Sequence, residues 1–187
     1  MPGTKVAPAP RRPVAARTVP RPGPLRRPRV ARFLTVFLFA LVAGVFWGTW
    51  LGLSRSIASM SPQAFLEVGW IMIRNLATPM AILMLAALTS GAVLLIRTFR
   101  WDARASVVWT TAGWGLLAAA LVVTLAVNVP IDSEIQYWTL SSLPENWREL
   151  RDRWEFYHGL RTLLSIVALA AVTVGAVIPR AGDDSTA

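Results

Sequence analysis

Four long apolar runs dominate the chain and are separated by polar connections. They cover Phe33–Leu53, Leu76–Ile96, Ala105–Val129 and Tyr157–Ile178. Each supplies the roughly 20 residues that a helix needs to cross about 30 Å of hydrocarbon. None alternates polar with apolar positions, so none reads as a barrel strand. A lone segment in lipid must then close its own backbone hydrogen bonds as a helix. The fold class predicted is all-α, an integral membrane four-helix bundle. The connection 54–75 carries Ser61-Pro62, a capping residue and a proline suited to a first helical turn. The connection 130–156 carries Leu143-Pro144-Glu145, a second start signal. Both then read as helical up to the following span, which predicts a helical exterior cap. Asn128-Val129-Pro130 predicts that span 3 ends near Asn128. A helix from Pro144 to Ile178 would be about 52 Å long, so part of it must project beyond the lipid or bend near Gly159.

Composition agrees with this pattern and locates the charge. Of 187 residues, 55% are hydrophobic and 16% charged, where soluble domains carry about 25% charged residues; the mean hydropathy is +0.50. The net charge of +9 has a local origin. Lys5, Arg11, Arg12, Arg17, Arg21, Arg26, Arg27, Arg29 and Arg32 supply nine basic residues and no acid precedes residue 33, while 33–187 balance at ten of each sign. Residues 1–32 therefore read as a disordered, Pro/Arg-rich tail that orients the first span and touches anionic lipid headgroups. No nucleic-acid module follows it, so nucleic acid is not an expected partner, and the apolar stretch is too long for a signal peptide. The 97–104 connection has three arginines to one aspartate, and 130–156 has six acids to three arginines. Both termini are then expected in the cytoplasm. The domain reading is a tail over 1–32, a transmembrane domain over 33–180 and a polar tail over 181–187. One lysine against 18 arginines suggests a GC-rich bacterial genome, hence a bacterial inner membrane. Gly44 with Gly48, and Gly115 with Ala119, have the small-xxx-small spacing that allows helices to approach, and are read as bundle packing. A homo-oligomer is compatible with the sequence.

The chain has no cysteine and one histidine. That excludes disulfides, cysteine-ligated metals and thiol nucleophiles, and any multi-histidine metal site within one chain. Candidate chemistry gathers on one stripe. Trp147, Arg151, Trp154, His158 and Arg161 follow spacings of 4, 3, 4 and 3, which place all five on one helical face. Arg161 lies about one turn inside span 4, where an ionisable side chain should face the bundle interior with a partner. Asn128 and Asp132 are expected at the same level. Glu67 and Arg74, seven residues apart on one face of the first connection, are candidate rim residues. A purely structural network, with Arg161 tied to Asp132 or Glu134, stands beside the ligand-site reading. One histidine with Asp132, Glu134 and Glu155 would hold a metal only weakly, and no metal site is assigned.

At these residues the chain resembles the anthrone-oxygenase-like family of small four-span membrane proteins, long described as a domain of unknown function. The resemblance rests on NVPID (Asn128, Pro130), on the Trp-Arg-Trp-His-Arg series in LPENWRELRDRWEFYHGLRTLLS, and on MIRNLATPMAILM; it covers about residues 33–180. Asp132 departs from the pattern, which would have a second asparagine there. The resemblance implies conversion of an anthrone to an anthraquinone by dioxygen with no cofactor, in aromatic polyketide tailoring. It implies a hydrophobic small-molecule substrate, with His158 as base, and with Arg151, Arg161 and Asn128 stabilising an oxyanion. Trp147, Trp154 and Tyr137 would form an aromatic slot, with Asp132, Glu67 and Arg74 as further substrate contacts. The competing class is a non-catalytic membrane protein that binds a lipid or protein partner through its cap. A transporter fits less well, since no inverted repeat or midplane acid is visible.

Overall fold

The computed structural model describes residues 27–101 and 103–178. Of the disordered tail expected over residues 1–32, residues 1–26 lie outside these, as does the polar segment 181–187, while residues 27–32 are helical and open the first span. The elements are α1 (Arg27–Thr49), a π-helical turn (Trp50–Ser54), α2 (Arg55–Ile57), α3 (Pro62–Trp101), α4 (Arg104–Val123), a second π-helical turn (Thr124–Asn128), α5 (Val129–Ile135) and α6 (Trp147–Val177). Among the described residues, four continuous helical stretches are long and apolar enough to cross a membrane: Arg29–Ser54, Pro62–Arg100, Arg104–Ile135 and Trp147–Val177. α1 packs on α3 and α6, and α4 packs on α3 and α6, so the long helices form a closed ring in chain order.

Two helix ends differ from the sequence expectation. Span 3 does not stop near Asn128, because the helix runs on through the second π turn into α5. The Val129 N–H bonds five residues back to the Thr124 carbonyl. This wider turn accommodates Pro130, which would break an ordinary helical ladder. The last helix starts at Trp147 rather than at Pro144. Pro144 opens a tight turn instead, its carbonyl accepting the Trp147 N–H at 3.1 Å.

The close approaches occur at glycines other than those expected. A Cβ on Gly44, Gly48 or Gly115 would meet nothing within 4 Å, and these residues and Ala119 are exposed on outer faces. The tight contact is between α4 and α6. A Cβ on Gly113 would lie 2.8 Å from the Ala168 carbonyl oxygen, and one on Gly175 would lie 2.6 Å from Thr110 Oγ1. Ser106 adds a hydrogen bond to the Gly175 carbonyl at 2.7 Å. Small residues in α6 explain this, since Ala168, Val172 and Gly175 present little bulk to α4.

Two apolar cores result. One fills the bundle around Phe39, Val42, Phe46, Met84, Leu117 and Val172. The other fills the cap around Ile57, Phe65, Leu66, Ile131, Ile135, Trp138 and Trp147. Trp70 ties the cap together by donating its indole N–H to the Ile135 carbonyl at 3.0 Å. The polar cluster described next lies between these cores.

Candidate functional site

α6 carries one buried seam along its length: Trp147, Arg151, His158, Arg161, Ser165, Ala168, Val172 and Gly175, with half-buried Trp154 in register. The spacing alternates 4 and 3 throughout, so the polar stripe is the upper half of a continuous inward face. Its lower half is small and apolar and packs on α4. Its upper half meets the two π turns, where the bundle leaves a cavity of about 210 Å³.

The cavity walls are mostly apolar, with Val45, Phe46 and Leu53 from the first helix and its π turn, Met72, Leu76, Met80 and Met84 from α3, and Leu121 and Leu125 from the α4 side. Thr49, Thr124, Asp132, Trp154, His158 and Arg161 add its polar groups. On one side the wall is thin. Ala77 and Ala81 of α3 and Leu125 and Val129 opposite them line the cavity and are also exposed on the outer, apolar surface of the bundle. A smaller chamber of about 40 Å³ under the cap shares Leu53, Met72, Ile73, Asp132 and Trp154 with the main cavity.

The polar groups form one chain of contacts. Arg161, 9% exposed, donates from Nε to His158 Nδ1 at 3.0 Å and from Nη1 to Thr124 Oγ1 at 3.4 Å. Its guanidinium lies 4.7 Å above the Phe46 ring, a cation–π contact that offsets part of the cost of a buried charge. The His158 ring stacks on Trp154 with centroids 4.9 Å apart and meets Phe46 edge-on at 6.2 Å. Trp154 donates its indole N–H to Asp132 Oδ1 at 2.7 Å. His158 is 1% exposed, and its Nε2 has no hydrogen-bond partner among the described residues.

Four candidates thus share the cavity: Asp132, Trp154, His158 and Arg161. The others lie elsewhere. Asn128 is buried beside the cavity wall, donates to the Trp154 carbonyl at 3.1 Å and leaves its Oδ1 without a partner; it holds the π turn to α6. Trp147 packs against Phe65 inside the cap core, the rings tilted by 37° with centroids 5.5 Å apart. Arg151 lies 5.4 Å from the Trp147 ring and forms an ion pair with Asp152 at 2.7 Å. Tyr137 is 85% exposed. Glu67 and Arg74 are exposed, and Glu67 accepts a hydrogen bond from Gln63 Nε2 at 2.9 Å. No carboxylate reaches Arg161 within ion-pair distance among the described residues. Nor do any three His, Asp or Glu residues form a group able to hold a metal among those residues. Sequence reasoning passed over Phe46, Thr49 and Thr124. Thr124 left a signal, a hydroxyl in span 3 close to the level of Asn128, whereas Phe46 is one of several aromatics in span 1.

The fold and site define a class: a membrane four-helix bundle whose apolar chamber ends in a buried His–Arg pair and a carboxylate. A family model described as Anthrone oxygenase matches residues 70–171. That is more than half of the chain, and the chain belongs to this family. The matched stretch holds Asn128, Asp132, Trp154, His158 and Arg161 but not α1, so Phe46 and Thr49 come from outside it. No curated protein and no solved structure gives a significant match.

Proposed function

We propose that the protein is a membrane-embedded oxygenase that converts a lipophilic, anthrone-like small molecule to a quinone with dioxygen and no cofactor. The observation that carries this reading is the composition of the cavity: apolar walls that suit fused rings, ending in the unpartnered Nε2 of His158 beside Arg161. An anthrone has a methylene group opposite its carbonyl. Loss of one methylene proton leaves an anion delocalised onto the carbonyl oxygen, and such an anion reacts with dioxygen directly. Hydrogen-bond donors fixed where that oxygen becomes negative stabilise the anion without reorganising, and low-dielectric apolar walls strengthen them. Arg161 and His158 are those donors, while Trp154 and Phe46 add aromatic surface to the cavity wall. The balance is one methylene and one dioxygen giving one carbonyl and one water.

In this reading the chain lies in a bacterial inner membrane with both termini in the cytoplasm and the cap outside. The site then sits near the outer surface of the bilayer. The test uses the full chain in membranes given anthrone under ¹⁸O₂. Expected are one equivalent of dioxygen consumed per anthraquinone formed, one ¹⁸O atom in the new carbonyl, and no change on dialysis against a chelator. A rate equal to that of membranes without the protein, with anthrone still bound, would instead favour a non-catalytic binding protein.

A further inference from the structure

The hydrogen bonds of the site have directions, and these divide the chemistry between two side chains. A guanidinium has donors and no acceptor. The 3.0 Å bond from Arg161 Nε to His158 Nδ1 therefore uses the lone pair of Nδ1. A neutral imidazole has one N–H, and it must then lie on Nε2. Nε2 is the buried nitrogen that lacks a protein partner. A nitrogen that already carries its hydrogen takes no further proton there, and Nδ1 is occupied. His158 thus offers the cavity a donor rather than a base.

Asp132 has the complementary arrangement. One carboxylate oxygen is held by the Trp154 indole N–H at 2.7 Å, and the other has no partner among the described residues. Among the described residues no arginine lies within ion-pair distance to occupy it. The side chain borders both the main cavity and the chamber under the cap. The same indole stacks on His158, so Trp154 fixes acceptor and donor relative to each other.

Resting on the oxygenase reading, we infer that Asp132 is the proton acceptor of the site and that His158 assists it as a hydrogen-bond donor through Nε2. Asp132 takes one methylene proton, and the electron pair of the C–H bond stays on the substrate as an anion whose oxygen faces His158 and Arg161. Carbon then bonds to dioxygen, and Asp132 returns its proton to the outer oxygen, giving a hydroperoxide. Asp132 removes the second C–H proton as the O–O bond breaks. The carbonyl forms, and the departing hydroxide takes the proton from Asp132 as water. The carboxylate is regenerated.

Proton removal can be measured without oxygen. The full chain in detergent is given anthrone in D₂O under argon, and methylene deuteration is followed by mass spectrometry; binding is read separately as the anthrone-induced rise in unfolding temperature. Asp132→Asn keeps an oxygen for the Trp154 bond but takes no proton. It should bind anthrone and lose about 10²–10⁴-fold in exchange rate. Asp132→Glu, which keeps a carboxylate, should recover part of that loss. His158→Gln keeps a donor and has no basic nitrogen, so it should exchange within about tenfold of the unaltered chain. Loss of exchange in H158Q at intact binding overturns the assignment whatever D132N does, as does full exchange in D132N. If the unaltered chain itself fails to accelerate exchange, the oxygenase reading falls as well; if it exchanges and H158Q does not, only the role of Asp132 falls.

Discussion

Arg161 donates to His158 one turn earlier on the same helix, nitrogen to nitrogen at 3.0 Å. The pair is held on three sides by neighbouring elements: Thr124 from the π turn, Phe46 from α1 and Trp154 from the cap end of α6. An ionisable pair in this position ties three of the four long helices to one point. Arg161→Ala leaves Nδ1 buried without a partner, at a cost of about 1–3 kcal/mol. The expected outcome is a lower unfolding temperature in detergent together with loss of turnover. Arg161→Lys retains the charge but not the forked geometry, so it should regain stability more fully than activity.

Trp154→Phe keeps a ring against His158 and removes the N–H that holds Asp132. Losing a hydrogen bond to a carboxylate costs about 1.5–3 kcal/mol. The variant should fold and stack as before while turnover falls about tenfold or more, because the carboxylate is no longer fixed. Unchanged turnover would mean that the orientation of Asp132 does not matter.

The cavity itself is tested by filling it. Met80 lines the cavity, whereas Ile82, two residues on, is exposed on the outer face. Met80→Trp should abolish the anthrone-induced rise in unfolding temperature, and Ile82→Trp should leave it unchanged. Equal effects of the two substitutions would place the ligand elsewhere.

Helix packing gives a prediction independent of function. Gly113→Ala puts a methyl 2.8 Å from one backbone atom of α6 and 2.9 Å from another. Overpacking of this kind costs about 1–3 kcal/mol. A thermal melt should show a clear loss of stability for Gly113→Ala and none for Gly44→Ala, whose methyl enters open space.

The same comparison shows what the sequence could and could not convey. Hydropathy alone specifies four helices, because a lipid-exposed backbone has few ways to satisfy itself. The spacing of Trp147, Arg151, Trp154, His158 and Arg161 specifies one inward face, since helical periodicity is local. What that face meets is not local. Trp147 and Arg151 enter the cap, whereas Trp154, His158 and Arg161 enter the cavity, and the division depends on which elements stand opposite each turn of α6. The glycines mislead for the same reason. Gly44-Gly48 and Gly113 look alike in the sequence, and only the bulk of the facing helix decides which allows close contact. The π turns carry no composition signal, yet the second sets the position of Thr124 and carries the helix past Pro130.

The thin wall between Ala77, Ala81, Leu125 and Val129 has a consequence for how affinity should be counted. A ligand that enters on this side comes from dissolved lipid rather than from water. Its working concentration is its mole fraction in the bilayer, which rises about fourfold for each added methylene at about 0.8 kcal/mol per group. A site of modest intrinsic strength is then filled by a trace of hydrophobic compound in the medium. Ranking ligands by total amount added would mostly rank their partitioning, and selectivity among equally lipophilic molecules rests on the polar end of the cavity.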